Sequence, residues 1–238
     1  ARAVLVGLDD GDELLIGQVV NTNAAWMAEQ LNLSGFRVFQ VTVISDNKEH
    51  ILQALANAEE HAEIVLISGG IGPTRDDITK HTLCEYFNTR LLFNEEAYRD
   101  IEALFARRGF RMTELNRQQA ELPELCTGIP NKLGTARGMW FEKERAGGGK
   151  TYFISMPGVP FEMKAMTTDF VIPWLSERYN APTILHKTIL TQGVGESFLA
   201  EQIEGWENSL PPHIKLAYLP QPGIVRLRLT AEGPDERL

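Results

Sequence analysis

Apolar positions in this chain fall into short unbroken runs, separated by stretches in which they recur at helical spacing. Residues 4–8, 36–44 and 63–68 read as the first three strands; the second carries Arg37, Gln40 and Thr42 among its apolar residues, and the third contains Ile64-Val65-Leu66-Ile67 without a polar break. Uninterrupted runs of this length fit strands buried on both faces of a parallel sheet. Between them, residues 24–33, with Asn23 as cap, carry Trp26, Met27, Leu31 and Leu33 on roughly one helical face. A second helix, capped by Ser45 or Asp46, runs to about residue 58 with Ile51, Leu52 and Leu55 inward. Strand alternating with helix predicts an α/β fold, a three-layer α/β/α sandwich on a mostly parallel sheet with right-handed crossovers.

The pattern continues with a helix over 78–87, a longer polar helical region over 94–120, strands over 134–144 and 152–155, and a helix over 161–166. The glycines at 147–149 join the two strands as a flexible hairpin connection. Composition shifts near residues 178–182. Beyond it a strand (184–192), a helix (196–204) and a strand (224–230), punctuated by Pro211, Pro212, Pro220 and Pro222, predict a small second α/β domain. The expected domains are therefore 1–175 and 180–238, the second stopping without a closing element as the start of a longer chain would.

Bulk properties narrow the chemistry. The 238 residues are 43% hydrophobic and 23% charged, with a net charge of −9, which is globular composition and argues against nucleic acid as a partner. Arg107, Arg108 and Arg111 read as a solvated helix end. Cys84 and Cys126 lack CxxC spacing and companion histidines, which argues against structural zinc and for two free thiols in a reducing, cytoplasmic setting. No apolar run is long enough to suggest a membrane span, and the first residues read as a strand rather than a signal peptide. The expected partner is a small nucleotide, with the chain itself assembling as a homo-oligomer, a dimer.

The third strand delivers the chain into Gly69-Gly70-Ile71-Gly72-Pro73-Thr74, with a helix soon after. Glycines there permit positive φ and close approach of backbone N–H groups, and a following helix favours an anion. Ligands of open α/β sheets bind beyond the carboxyl ends of the strands, so the turn predicts a phosphate or pyrophosphate site. It is neither a Walker loop nor a Rossmann fingerprint, and a plain turn capped by Thr74 or Asp76 is the alternative. Asp76 and Asp77 beside it would repel phosphate unless a divalent cation bridged the two. Arg75 could neutralise phosphate charge, and Asp12-Glu13, after the first strand, could approach the same edge.

Several segments taken together resemble the CinA family of competence/damage-inducible proteins. They are Gly11-Asp12-Glu13 with Asn21-Thr22-Asn23, the turn 69–74 with Asp76-Asp77-Ile78-Thr79, Asn116-Arg117-Gln118-Gln119-Ala120, Asn131 to Ala136, and Met156-Pro157-Gly158-Val159-Pro160-Phe161-Glu162-Met163. The likeness covers about residues 3–175 in order, and the tail is similar to the family's small KH-type domain. Gly7-Leu8-Asp9-Asp10 before the Gly-Asp-Glu, Arg75 and Arg137 depart from the common pattern. The resemblance implies a MogA/MoaB-like molybdopterin-binding fold and metal-dependent hydrolysis of ADP-ribose to AMP and ribose 5-phosphate. A molybdopterin-binding or adenylylating enzyme and a non-catalytic nucleotide-binding module are the alternatives. The family's deamidase domain has no counterpart in these residues.

On that basis Asp76 and Asp77 are the leading ligands of a divalent metal ion or general bases, with Asp12 and Glu13 next. Gly69, Gly70, Gly72 and Thr74 would cradle phosphate, and Asn23 and Asn116 would bond ribose or phosphate oxygens. Gly134, Thr135 and Ala136 would form a second donor loop. Pro157 and Gly158 would turn a strand end toward the site, and Glu162 would contact a sugar or the metal.

Overall fold

The computed structural model describes residues 1–8, 21–74 and 77–233. The chain divides into two compact units, Ala1–Leu31 with Arg37–Tyr179, and Asn32–Phe36 with Asn180–Leu238.

The first unit is built on β1 (Arg2–Gly7), β2 (Arg37–Val43), β3 (Ile64–Ser68), β6 (Thr127–Ile129), β7 (Gly138–Glu144) and β8 (Lys150–Met156), following a small β4–β5 pair (Leu91–Phe93 with Glu121–Pro123). The six strands lie in the order β2-β1-β3-β8-β7-β6. The first four are parallel, and β7 and β6 extend the sheet antiparallel. In the central register Val4 stands beside Val65, and Val65 beside Phe153. All five residues of β3 are buried. Val65 and Ile67 pack with Ile51, Leu55, Leu83 and Phe141. Ile64 and Leu66 alternate to the opposite face and are equally buried, so both faces of the sheet are covered, as the unbroken apolar run predicted.

Helix limits follow local chemistry and correct several expectations. Helix α1 (Thr22–Leu33) is capped by Asn21, whose Oδ1 accepts the Ala24 N–H at 2.8 Å, rather than by Asn23. Helix α2 (Lys48–His61) is capped by Asn47, not Ser45 or Asp46, through the His50 N–H. Helix α3 spans Thr79–Tyr86. The polar region expected as one long helix is two. Helix α4 (Glu95–Arg108) has Asn94 as cap, acidic residues in its first turn and arginines in its last, and it ends at Gly109 with φ 69°. A left-handed glycine is a strong helix stop. Helix α5 (Glu114–Gln118) restarts from a reciprocal Thr113–Asn116 capping box.

Helix α6 (Pro160–Met166) widens into a π-helical turn (Thr167–Val171) before α7 (Ile172–Arg178). Pro173 lacks the N–H for a regular helical bond and its ring crowds the preceding turn, which the wider turn relieves.

The second unit contains β9 (Thr183–Gln192), α8 (Glu196–Glu207), β10 (Ile214–Gln221) and β11 (Ile224–Gly233), an antiparallel sheet in the order β10-β11-β9. Its core is small, with Leu199 of α8 against Val225 and Leu227. The expected α/β character holds. Strand β10 was hidden in the sequence by the prolines in and around it: Pro220 sits one residue from its end, beside the Pro222-Gly223 turn, where Gly223 has φ 76°.

Candidate functional site

A cleft of about 570 Å³ opens at the carboxyl ends of the parallel strands. Leu8 follows β1, Gly69 to Pro73 follow β3, and Pro157 to Pro160 follow β8. Asp46, Asp77, Gln119, Thr135, Ala136 and Glu162 complete the lining. Adjacent to it lies a cleft of about 300 Å³ that shares Gly72, Pro73, Asp77 and Gln119.

The glycine turn is fixed from several directions. Gly69 and Gly70 have φ of 101° and 66°, a conformation that L side chains rarely adopt. The Gly69 N–H donates to Met156 O at 3.0 Å, and Gly70 O accepts the Thr79 N–H at 3.0 Å, tying the turn to β8 and α3. A Cβ on Gly70 would fall 2.1 Å from Thr79 Oγ1. The N–H groups of Gly70, Ile71 and Gly72 have no backbone acceptor among the described residues, which leaves three consecutive donors on the cleft wall. Successive amides in a turn of this kind form a concavity suited to an anion.

Asp77 braces that turn. Its Oδ2 accepts the Thr74 N–H at 2.8 Å and the Thr74 hydroxyl at 2.5 Å. The same oxygen lies so near Gly72 that a Cβ there would stand 2.7 Å away. One carboxylate oxygen is thus committed to the backbone, while the group as a whole lines both clefts.

The facing loop, residues 131–136, is organised by Asn131, which is 8% exposed. Its Oδ1 accepts from the N–H groups of Leu133 (3.0 Å) and Gly134 (2.9 Å), and its Nδ2 donates to Ala136 O (2.9 Å) and Glu162 Oε2 (2.6 Å). Gly134 is required because the Glu162 carboxylate lies against it, 2.1 Å from where a Cβ would be. Just after the loop, the buried Arg137 donates to Asp100 and Glu96 of α4. Burial alone would lower its pKa, but the hydrogen bonds to Asp100 and Glu96 outweigh that and hold it above its usual value.

Of the expected site residues, Gly69, Gly70, Gly72, Asp77, Thr135, Ala136, Pro157, Gly158 and Glu162 meet on the main cleft, and Thr74 lines the adjacent one. Gly134 sits behind the wall, under Glu162. Asn23 is buried and its Nδ2 donates to Gly158 O at 2.7 Å, holding the turn after β8. Asn116 lines neither cleft, and its Oδ1 accepts from the Thr113 N–H and hydroxyl. Asp12, Glu13 and Asp76 lie outside the described residues, as does Arg75. Among the described residues no group of three or more His, Cys, Asp or Glu side chains is placed to hold a metal ion.

Sequence reasoning missed Asn131, Asp46, Gln119 and Lys80. Lys80 is buried, with its Nζ donating to Glu121 O at 3.0 Å and Gln119 O at 3.5 Å. Burial pushes its pKa down against the pull of Glu121. Only a helical offset from Asp76-Asp77 could have flagged it. Near it the thiol of Cys126 is pushed up to about 12, chiefly by burial and then by Cys84, and both cysteines are free. Among the described residues no helix is long and apolar enough to cross a membrane.

The chain has recognisable relatives. A family model described as a probable molybdopterin binding domain matches residues 10–177, and the damage-inducible protein CinA KH domain matches residues 186–237. A CinA-like protein of Flavobacterium psychrophilum is 51% identical over 229 residues, covering 96% of this chain and 54% of that protein. A putative competence-damage inducible protein of Caldicellulosiruptor saccharolyticus is 37% identical over 227 residues, covering 95% and 53%. The chain thus spans about half the length of these relatives. The crystal structure of a CinA protein of unknown function from Thermoplasma acidophilum superposes with a TM-score of 0.61 at 30% identity, over 74% of this chain and 96% of that one.

Proposed function

Because the chain belongs to the CinA family, with a molybdopterin-binding-type α/β domain followed by a CinA KH domain, we propose that its main cleft binds a nucleotide diphosphate sugar and hydrolyses it, ADP-ribose giving AMP and ribose 5-phosphate. The observation that carries this reading is the run of N–H groups at Gly70, Ile71 and Gly72, on residues that line the cleft, with no backbone acceptor among the described residues. A diphosphate needs several fixed donors, and backbone amides supply them without reorganisation.

In the reaction a water oxygen bonds to one phosphorus and the bridging P–O bond breaks. The bridging oxygen leaves with its electron pair on the other phosphate, and the water proton passes to a base. Asp77, at the cleft with its Oδ1 outside the Thr74 bonds, is a candidate for that base, together with Asp76 and Glu13. The oxygen donors Asp77, Asp76 and Asp12 are of the kind that hard divalent cations take. Such a cation, when bound, would supply charge neutralisation between carboxylate and diphosphate. The 131–136 loop closes the opposite wall and Glu162 presents its carboxylate there, both fixed by Asn131.

The test is AMP release from ADP-ribose with and without divalent metal, in wild type and in Asp76→Asn with Asp77→Asn. The double variant is expected to lose turnover by at least about 100-fold while keeping its circular dichroism. Undiminished turnover would refute the assignment. The family model's description favours a second reading, a molybdopterin-binding protein, to which the resemblance adds an adenylylating activity. Tight molybdopterin binding with ATP consumption, and no AMP from ADP-ribose, would establish that reading instead.

A further inference from the structure

We infer that the bare face of the three-stranded sheet in the second unit is a docking surface for helix α8 of a second copy of this chain. The contact is independent of the nucleotide reading above.

Helix α8 covers one face of that sheet and leaves the other open. Leu199 packs on Val225 and Leu227, and the Tyr218 hydroxyl donates to Glu207 Oε2 at 2.6 Å. Residues directly opposite in an antiparallel pair share a face. The register therefore sets Leu219, Arg226 and Leu190 side by side on the open face, and Arg228, two residues on, joins them. Lys215 stands opposite Thr230 on that same face. Leu190 is 62% exposed. Lys215, Arg226 and Arg228 form no ion pair among the described residues.

The outward side of α8 is the complement of this surface. Phe198 is 66% exposed, and Glu201 follows it by three residues, the spacing of neighbours on a helix surface. Glu204 continues the acidic edge, and neither carboxylate is ion-paired among the described residues. Gly205, four residues beyond Glu201, is a poor helix former. A Cβ there would meet nothing within 4 Å, so packing among the described residues does not require it, and its bare backbone lets another surface come close. Each surface thus pairs an exposed apolar side chain with free charge, and the two signs are opposite. A sheet face of this kind is covered best by a helix with an apolar strip, and guanidinium–carboxylate bonds add register. A nucleic-acid strand would use the cations but not the leucines. It would also find no Phe, Tyr or Trp to stack on among the described residues of this face, whose one ring, the His186 imidazole, is engaged with the Thr230 hydroxyl at 2.9 Å. Helix and open face lie on opposite sides of one sheet, so the contact repeats head to tail instead of closing as a two-fold pair.

The test is sedimentation velocity on the full chain over rising concentration, in low and in high salt. Wild type should gain mass with concentration in low salt and lose that gain in high salt. A sheet variant, Arg226→Glu with Arg228→Glu, and a helix variant, Glu201→Arg with Glu204→Arg, should each need roughly tenfold more protein to associate, because like charges then face each other. Mixed in equal amounts, the two variants should associate again, since each meets a partner of opposite sign. A wild-type mass that does not change with concentration overturns the inference whatever the variants do. Variants that associate as wild type does, or a mixture that fails to recover, overturn it as well. Binding of a labelled single-stranded oligonucleotide at constant protein mass would give the cations to nucleic acid and overturn it too.

Discussion

Strands β3 and β9 are both rich in β-branched and aliphatic residues, yet all five residues of β3 are buried and only one of ten in β9 is. The difference lies in their surroundings. Strand β3 has strands on both sides and covered faces, whereas β9 is the edge of a three-stranded sheet whose buried core is Leu199, Val225 and Leu227. The candidate site sits at the end of the first kind of strand. Three amide donors hold a fixed geometry only if the strand that delivers them cannot shift, and burial on both faces is what prevents it.

That contrast can be broken most directly by matched truncations. Leu66→Ala in β3 should cost about 4 kcal/mol and Leu227→Ala in β11 about 2 kcal/mol, because a densely enclosed site relaxes least around a cavity. Urea unfolding of the two variants measures the pair, and equal losses would mean that the second unit is as tightly packed as the first. Matched glycines sharpen the comparison. Gly70→Ala combines a left-handed backbone with a Cβ 2.1 Å from Thr79 Oγ1 and should cost about 3 kcal/mol, with loss of phosphate binding. Gly223→Ala meets nothing within 4 Å and should cost about 1 kcal/mol, the conformational part alone.

The last effect is alkaline and confined to the first unit, which holds both cysteines. Burial raises Cys126 from 9.0 to about 12, so the folded state keeps its proton longer than the unfolded chain. The associated stability is complete below pH 9 and is lost as pH rises through about 12. Urea midpoints between pH 8 and 11 should fall more steeply for wild type than for Cys126→Ala, and parallel slopes would contradict this.

The layered sheet, the glycine turn and most of the cleft lining were legible because each rests on local pattern: apolar runs for β1 and β3, and consecutive glycines at a strand end. Residues whose roles depend on distant partners were not. Asn131 is identified by four bonds that reach Leu133, Gly134, Ala136 and Glu162, and the last of these is set by the fold. Arg137 stood out only as a departure from a family pattern, since its acidic partners lie on α4, 37 and 41 residues away along the chain. The break at Gly109 was visible as a glycine but outweighed by the polar helical spacing around it.

Arg137 gives the facing loop a second anchor. Asn131 pins one end and the guanidinium pins the other through α4, a helix that contributes no residue to either cleft lining. The chain that leaves the loop is therefore held from outside the cleft, since Asp100, half exposed on α4, secures it through the buried guanidinium of Arg137.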